Sequence, residues 1–492
     1  MTCKILRDLA DGRSVFTDGT WAAGQGESFT CVNPATEEPL AALVGASRDQ
    51  VDAAVKSARR AGYDWSHTEA ADRGRLLVRL AELIEEQASD LADLVVAEVG
   101  SPITLARDLQ VRQPSVNFRW SADAATRGPM GGYVQNLPPG VGVVRAESRL
   151  LREPIGVVAA IVPYNYPLNM ISWKVGPALA AGCSVVVLPS PRGSLCALAF
   201  ARIVEQAGLP PGLVNVVVGG ASVGESLVSN ELVDMVSFTG SNAVGARVMS
   251  LAAQHSAKVT LELGGKSPNI VLPSACLEDT IAPSVLRFTR NAGQGCGATT
   301  RILVHDAQYD EFVDRAADFI SNRLAVGDPT LPTTDVGPLI SSDHRARVES
   351  YLERSVRAGA RIIVGGNRPL NCSRGFFLAP ALLANVAATD EICQEELFAP
   401  VAVVLRYSNI QEAIEIANST RYGLNAVIWG DEDEALSVAE RIDTGTIAIN
   451  GGGDMRPDVP WGGVKQSGVG CEMGDDGFRE FFRVRHLTWR SL

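Results

Sequence analysis

The chain has 492 residues, 46% of them hydrophobic, too many for one simple core, so two or three domains are expected. Charged residues make up 20% and no polar low-complexity tract occurs, which excludes wholesale disorder. The net charge of -12 repels phosphate backbones and anionic lipid, so neither nucleic acid nor a membrane surface is expected as a partner.

No apolar run is long enough for a spanning helix. The opening MTCKILRDLADGRSVFTDG has no apolar core flanked by a cleavage site and does not read as a signal peptide. The nine cysteines are scattered, with no CxxC pair and no Cys/His cluster, so neither a disulfide framework nor a metal site is expected. A reduced, cytoplasmic setting follows, in which most of the thiols are inert core residues.

Residues 50–100 read as helices, because apolar residues recur there at three- and four-residue spacing, with Gly100 as a C-cap. Residues 129–155 are rich in Gly and Pro and then alternate apolar with charged residues, which predicts a loop followed by extended strands. From 156 a strand–helix rhythm begins. The strands are VVAAIV (157–162), SVVVLP (184–189), VNVVVGG (214–220), MVSF (235–238) and KVTLEL (258–263). Between them lie helices, one ending near Gly182. Continuous apolar strands alternating with amphipathic helices mean a parallel sheet covered on both faces. After a break at Gly264-Gly265, SPNIVL, TRILVH, ARIIVGG, VAVVLRY, NAVIWG and GTIAIN form a second series. The segment FREFFRVRHLTWR reads as a final strand.

Three places carry chemistry. After VNVVV, the run from Gly219 to Gly224 is either a dinucleotide loop lacking one glycine, since Ala221 stands where Gly is usual, or an ordinary strand-to-helix turn. Cys296 lies between Gly295 and Gly297, behind the small polar Asn291–Gln294; such neighbours open a sulfur to a carbonyl, although a structural cysteine remains the rival reading. None of the five histidines stands in a polar, glycine-flanked context, which disfavours a Cys/His dyad. Glu262 ends the apolar strand VTLEL: buried, it would have a raised pKa suited to a general base, and exposed, it would be an ordinary strand end.

Together the pieces resemble the aldehyde dehydrogenase superfamily over nearly the whole chain. The matching motifs are PYNYPL (163–168), WKVGPALAAGCSVVV (173–187), FTGSNAVG (238–245), LELGGKSPN (261–269), NAGQGC (291–296), GDP and GPLIS (327–341), EELFAPV (395–401) and PWGGVKQSGVG (460–470). The resemblance implies an α/β fold: a Rossmann-type cofactor domain (1–131 and 150–262), an α/β catalytic domain (263–473), and a small oligomerisation β-arm (132–149 and 474–492). It implies a homodimer or homotetramer, NAD as cofactor with NADP as the alternative, and a small-molecule aldehyde as substrate.

It also assigns roles. Cys296 resembles the nucleophile, Glu262 the base that activates water for deacylation, and Asn165 an oxyanion-hole amide beside the Cys296 N–H; Lys174 is family-typical near that site. Ile161, Pro163, Tyr164, Gly220, Ser241, Val244 and Leu263 line the cofactor groove. Glu396 and Phe398 hold the nicotinamide ribose and ring. Tyr166, Trp173, Arg290, Met455 and Trp461 form the substrate pocket. The implied product of thiol attack and hydride loss is a thioester, hydrolysed by activated water.

Three departures stand out. Leu188 and Pro191 replace the Lys and Glu that usually anchor the adenosine ribose, with Arg192 next door, which leaves NAD against NADP open. Arg290 occupies a tunnel position often apolar or aromatic; succinate-semialdehyde dehydrogenases carry Arg there, but their second carboxylate-binding Arg is Trp173 here. Ala399 replaces a usual Gly. The weakened ribose site keeps two rival readings in play: a thiol hydrolase or acyl-transfer enzyme without hydride transfer, and a catalytically silent relative.

Overall fold

Apolar strands organise the computed structural model, which describes residues 5, 6, 12–140, 146–452 and 455–490. Part of the opening segment that does not read as a signal peptide, residues 1–4 and 7–11, lies outside the described residues, as do positions 141–145 and 491–492 of the expected arm.

The first sheet has eight strands in the order Thr20–Ala23, Arg13–Thr17, Val214–Val217, Ser184–Pro189, Val157–Val162, Met235–Thr239, Lys258–Glu262, Gly468–Val469. The inner five are parallel, and the edges are antiparallel. Val185, Val186 and Val187 are wholly buried, as strands covered on both faces require. The chain moves outward from Val157–Val162 through two strands, then returns to its other side at Met235–Thr239. That reversal opens a crevice at the carboxyl ends of these two strands, where doubly wound sheets bind ligands. Pro163–Asn165 and Gly240–Ser241 stand there.

The helix Pro167–Ala181 follows the central strand and is buried along its whole length. It begins earlier than the PYNYPL break suggested, because Pro167 occupies its first turn, where no N–H is needed. Gly182 ends it in the left-handed region, at φ 98°. The helices Arg48–Ser66, Ala70–Glu86 and Ala88–Val99 match the periodicity, and Gly100 is the αL C-cap expected.

The second sheet has seven strands in the order Arg361–Val364, Ala381–Ala384, Val401–Tyr407, Arg301–His305, Pro268–Val271, Asn425–Trp429, Thr446–Ile449; only the first pairing is antiparallel. The crossing between sheets falls in residues 263–267. There the buried Arg301 donates to Lys266 O and to the carbonyls of Ile416 and Ala417 near a helix end, each at 2.7 Å.

Some boundaries differ from the expectation. Ala146–Pro154 is one continuous strand, paired along its length with Phe482–Arg490, so a division at 149/150 cuts through it. FREFFRVRHLTWR is not all strand: Gly474–Arg479 is helical, with acidic residues in its first turn and Phe478 buried in the first core. Gly468–Val469 joins the first sheet, although the sequence division gave it to the catalytic domain. The three-stranded arm, Phe482–Arg490, Ala146–Pro154 and Val134–Gly140, leaves Val484, Leu487 and Trp489 exposed. Four of the eight described cysteines are buried, fewer than the inert majority expected. Among the described residues no helix is long and apolar enough to cross a membrane.

Candidate active site

A cavity of about 590 Å³ lies where the two sheets meet, and Cys296 is in its wall. Pro163, Tyr164, Asn165, Tyr166, Trp173, Ser241, Leu263, Arg290, Glu396, Phe398, Met455 and Trp461 line it as well. Among the described residues five arginines face it against two glutamates, so an anion-attracting pocket is set in a protein of net charge -12.

The thiol loop is sharply wound. Asn291, Ala292 and Gly293 all have left-handed φ, at 52°, 54° and 70°. Gly293 is required twice, since a Cβ there would lie 2.1 Å from the Ala399 carbonyl carbon. Gly297 gives space to the Trp461 ring, 3.0 Å from where its Cβ would stand. A buried relay fixes the loop: Gln110 donates to Ser101, Ser101 to Asn291 Oδ1, and Asn291 Nδ2 to Asn165 O at 3.0 Å. Asn165 Nδ2 in turn donates to Gln294 O at 2.9 Å, and a primary amide keeps a second N–H. Burial pushes the Cys296 thiol up to about 12, and the charges of Glu396 and Glu262 add to it; the N–H groups of Gly297 and Cys296 act the other way.

Glu262 is 2% exposed, and neither of its carboxylate oxygens has a hydrogen-bond partner among the described residues. Burial, and then the charge of Glu472, hold its pKa well above the carboxylate range, while Lys174 lowers it. This favours the buried-strand reading over the exposed one. Lys174 does not line the cavity. Its ammonium is fully buried, donating to Ser237 at 3.0 Å, Thr239 at 2.8 Å and the carboxylate of Glu472. Glu472 exchanges backbone hydrogen bonds with Trp461 at 2.7 Å, which ties the pocket wall to the charges beneath Glu262.

At the crevice end, Tyr164 and Phe398 meet edge to face at 6.2 Å. The Glu396 carboxylate accepts from Gly265 N at 3.1 Å, and burial raises its pKa to about 7. Ser241 caps the helix Asn242–Ala252 without a side-chain cap bond, which leaves first-turn N–H groups to whatever occupies the crevice. Ile161, Gly220 and Val244 lie outside the cavity wall; Gly220 has open space where a side chain would stand, and Val244 is exposed. Leu188 is buried in the core cluster behind the crevice, where it packs toward Gly224.

At the other end stand Tyr166, Trp173, Met455 and Trp461, with the two indoles 6.2 Å apart. The Arg290 N–H caps the preceding helix by donating to Leu286 O, while its side chain is exposed and makes no hydrogen bond or ion pair with any described residue. Its charge acts on the Tyr166 phenol. The sequence reading missed His344 and Arg347, which also line the cavity, and Glu472. His344 follows GPLIS by three residues, and only the fold brings it to the site. Among the described residues no three His, Cys, Asp or Glu side chains are grouped for a metal ion.

Residues 21–487 match the Aldehyde dehydrogenase family. The betaine aldehyde dehydrogenase of Bacillus subtilis (strain 168) is 38% identical over 488 residues, 96% of this chain and 97% of its own. The hydroxyisobutyraldehyde dehydrogenase of Mycolicibacterium austroafricanum is 38% identical, over 96% of this chain and 93% of its own. A solved mutant of aldehyde dehydrogenase C from Pseudomonas syringae, in complex with NAD+ and octanal, superposes with a TM-score of 0.92 at 38% identity, covering 97% of this chain and 96% of that one. The chain belongs to the aldehyde dehydrogenase family, enzymes that oxidise aldehydes with a nicotinamide cofactor. The oxidoreductase reading therefore stands over the hydrolase and silent-relative readings.

Proposed function

We propose that this enzyme oxidises an acidic or neutral aldehyde to its carboxylic acid with NAD+, NADP being the alternative, through an acyl intermediate on Cys296. The observation that carries the reading is one cavity wall holding the Cys296 thiol and Asn165, with the unpaired carboxylate of Glu262 acting on that thiol.

The dinucleotide fits the residues present: the uncapped turn at Ser241, the open space over Gly220, and the buried carboxylate of Glu396 as an acceptor for ribose hydroxyls. When bound, the nicotinamide supplies the hydride acceptor. As the thiolate, Cys296 Sγ adds to the aldehyde carbon, and the carbonyl π pair moves onto the oxygen, which takes up charge beside the Cys296 N–H and the second Asn165 amide proton. After hydride loss the acyl group remains on sulfur as a thioester. Glu262 then removes a proton from the water that hydrolyses it. Lys174 acts at a distance, through Glu472.

Arg290 supports the substrate class. Among the described residues, no carboxylate lines the aromatic end of the cavity, so a guanidinium there repels a cationic tail and attracts a carboxylate. Betaine aldehyde, the cation named for one relative, is a poor substrate on this reading. The exposed arm suits a homodimer or homotetramer, and a cytoplasmic setting suits free thiols. The crossing at 263–267 is the boundary between a cofactor domain and a catalytic domain, with 134–140, 146–154 and 482–490 as the oligomerisation arm.

Cys296→Ala tests the proposal. The variant should fold and bind NAD+, and should form no reduced cofactor with any aldehyde. Turnover comparable to wild type would overturn it.

A further inference from the structure

The segment from Glu395 to Ala399 is held residue by residue from elsewhere in the chain. Glu395 pairs with both Nη atoms of Arg421, at 2.9 and 2.7 Å. Glu396 accepts from Gly265 N. Leu397 O accepts from Arg347 Nη2 at 3.1 Å. The Phe398 carbonyl is bonded to His344 Nε2 at 2.9 Å. Ala399 abuts Gly293 of the thiol loop.

Phe398 is the strained member. Its φ is 57°, in the left-handed region that a residue with a Cβ rarely adopts, and such conformations persist only where the surroundings over-determine them. Its ring stands edge to face with Tyr164 in the cavity wall. Relaxing φ would swing that ring and the adjoining carbonyl.

The imidazole is placed to prevent this. His344 lies in the first turn of the helix Ser342–Arg357, and its own N–H donates to the capping Ser341 side chain at 3.2 Å. A carbonyl can only accept, so Nε2 carries the proton. Nδ1 faces Arg347 Nη2 at 3.5 Å and can therefore only accept. Both nitrogens are thus committed with the ring neutral, and burial, with the charge of Arg347, lowers the ring's pKa to about 4. Although His344 shares a cavity with Cys296, it has no nitrogen free to serve as a thiol base.

We infer that His344 is a positioning residue: through its bond to the Phe398 carbonyl it holds the Phe398 ring where the nicotinamide must lie relative to Cys296 Sγ. The inference rests on the proposed NAD-linked oxidation. It extends to Arg347, which fixes the His344 tautomer and the neighbouring Leu397 carbonyl. Because Ala399 touches Gly293, the same segment sets the spacing between Phe398 and the thiol loop.

The test compares wild type with His344→Leu, which cannot donate, and His344→Gln, whose amide N–H can replace Nε2–H. Two activities are measured for each: NAD+ reduction with a benzaldehyde, and hydrolysis of p-nitrophenyl acetate, which needs the thiol but no hydride transfer. Misplacing a reacting group costs far more than its contact energy. In His344→Leu the ratio of dehydrogenase to esterase turnover should therefore fall by roughly tenfold or more. The primary isotope effect with deuterated aldehyde should rise. His344→Gln should recover most of the ratio. The inference is overturned if both activities change by one factor, if neither changes, or if Gln is no better than Leu. Ester hydrolysis by wild type without any NAD+ reduction would instead defeat the oxidation reading itself.

Discussion

Lys174 and Glu472 form a fully buried ion pair whose acidic member acts on Glu262. One ammonium thus serves two buried carboxylates, and Glu262 is the one left without a hydrogen bond. Its proton affinity is raised first by burial and then by Glu472. The sign follows: Glu262 becomes a base only as pH rises through its elevated pKa, so thioester hydrolysis should accelerate toward alkaline pH. Glu472→Gln removes the repelling charge and should move that limb to lower pH. Steady-state rates across pH check this, and a limb unmoved in Glu472→Gln would contradict the coupling.

The thiol obeys the same logic. Burial holds the Cys296 pKa near 12 in the absence of ligands, so the thiolate is scarce at neutrality. Alkylation of the free enzyme by iodoacetamide, followed at Cys296 by peptide mass, should be slow at pH ~7 and still climbing at pH ~10. A plateau below pH ~8 would mean a thiolate stabilised by a partner absent from this account.

Gly293 should not tolerate a side chain. Gly293→Ala places a methyl against the Ala399 backbone and a Cβ at φ 70°. The two effects together should cost at least about 2 kcal/mol, because strain and overpacking each amount to roughly 1–3 kcal/mol. Thermal unfolding should show a lower Tm, and kcat/KM should fall with it as the thiol loop shifts. Wild-type values for both would refute the packing argument.

Arg290→Leu separates substrate classes. With 4-carboxybenzaldehyde, kcat/KM should drop by roughly tenfold or more, the worth of a lost charge-assisted hydrogen bond. Relative to it, 4-methylbenzaldehyde should gain. An unchanged ratio between the two aldehydes would reduce Arg290 to a solvated surface residue.

Much of this was legible in the residues. Val157–Val162 and Ser184–Pro189 match their runs to the residue, because strands covered on both faces are almost continuously apolar, Ser184 being the one polar member of the two. The motif resemblance brought Cys296, Asn165, Glu396 and Phe398 to one cavity in advance. The antiparallel edges Arg13–Thr17 and Gly468–Val469 were not anticipated, since short edge strands carry little periodicity. Glu472 and His344 were missed for a different reason. Each works through a contact more than 50 residues away in sequence, Glu472 with Lys174 and His344 with Phe398, and no local pattern encodes such a pairing. Lys174 shows the converse: its motif is plain, but only packing reveals that its ammonium is spent on Glu472.

The central claim is that oxidation leaves an acyl group on Cys296 that Glu262 helps to remove. Glu262→Gln should still take up one equivalent of aldehyde and release a burst of reduced cofactor, and then stall. Peptide mass spectrometry of the stalled enzyme, with NAD+ and a benzaldehyde, should find an acyl group on the peptide containing Cys296 and on no other cysteine. An unmodified Cys296 after the burst, or an acyl group on Cys471 instead, would contradict the account.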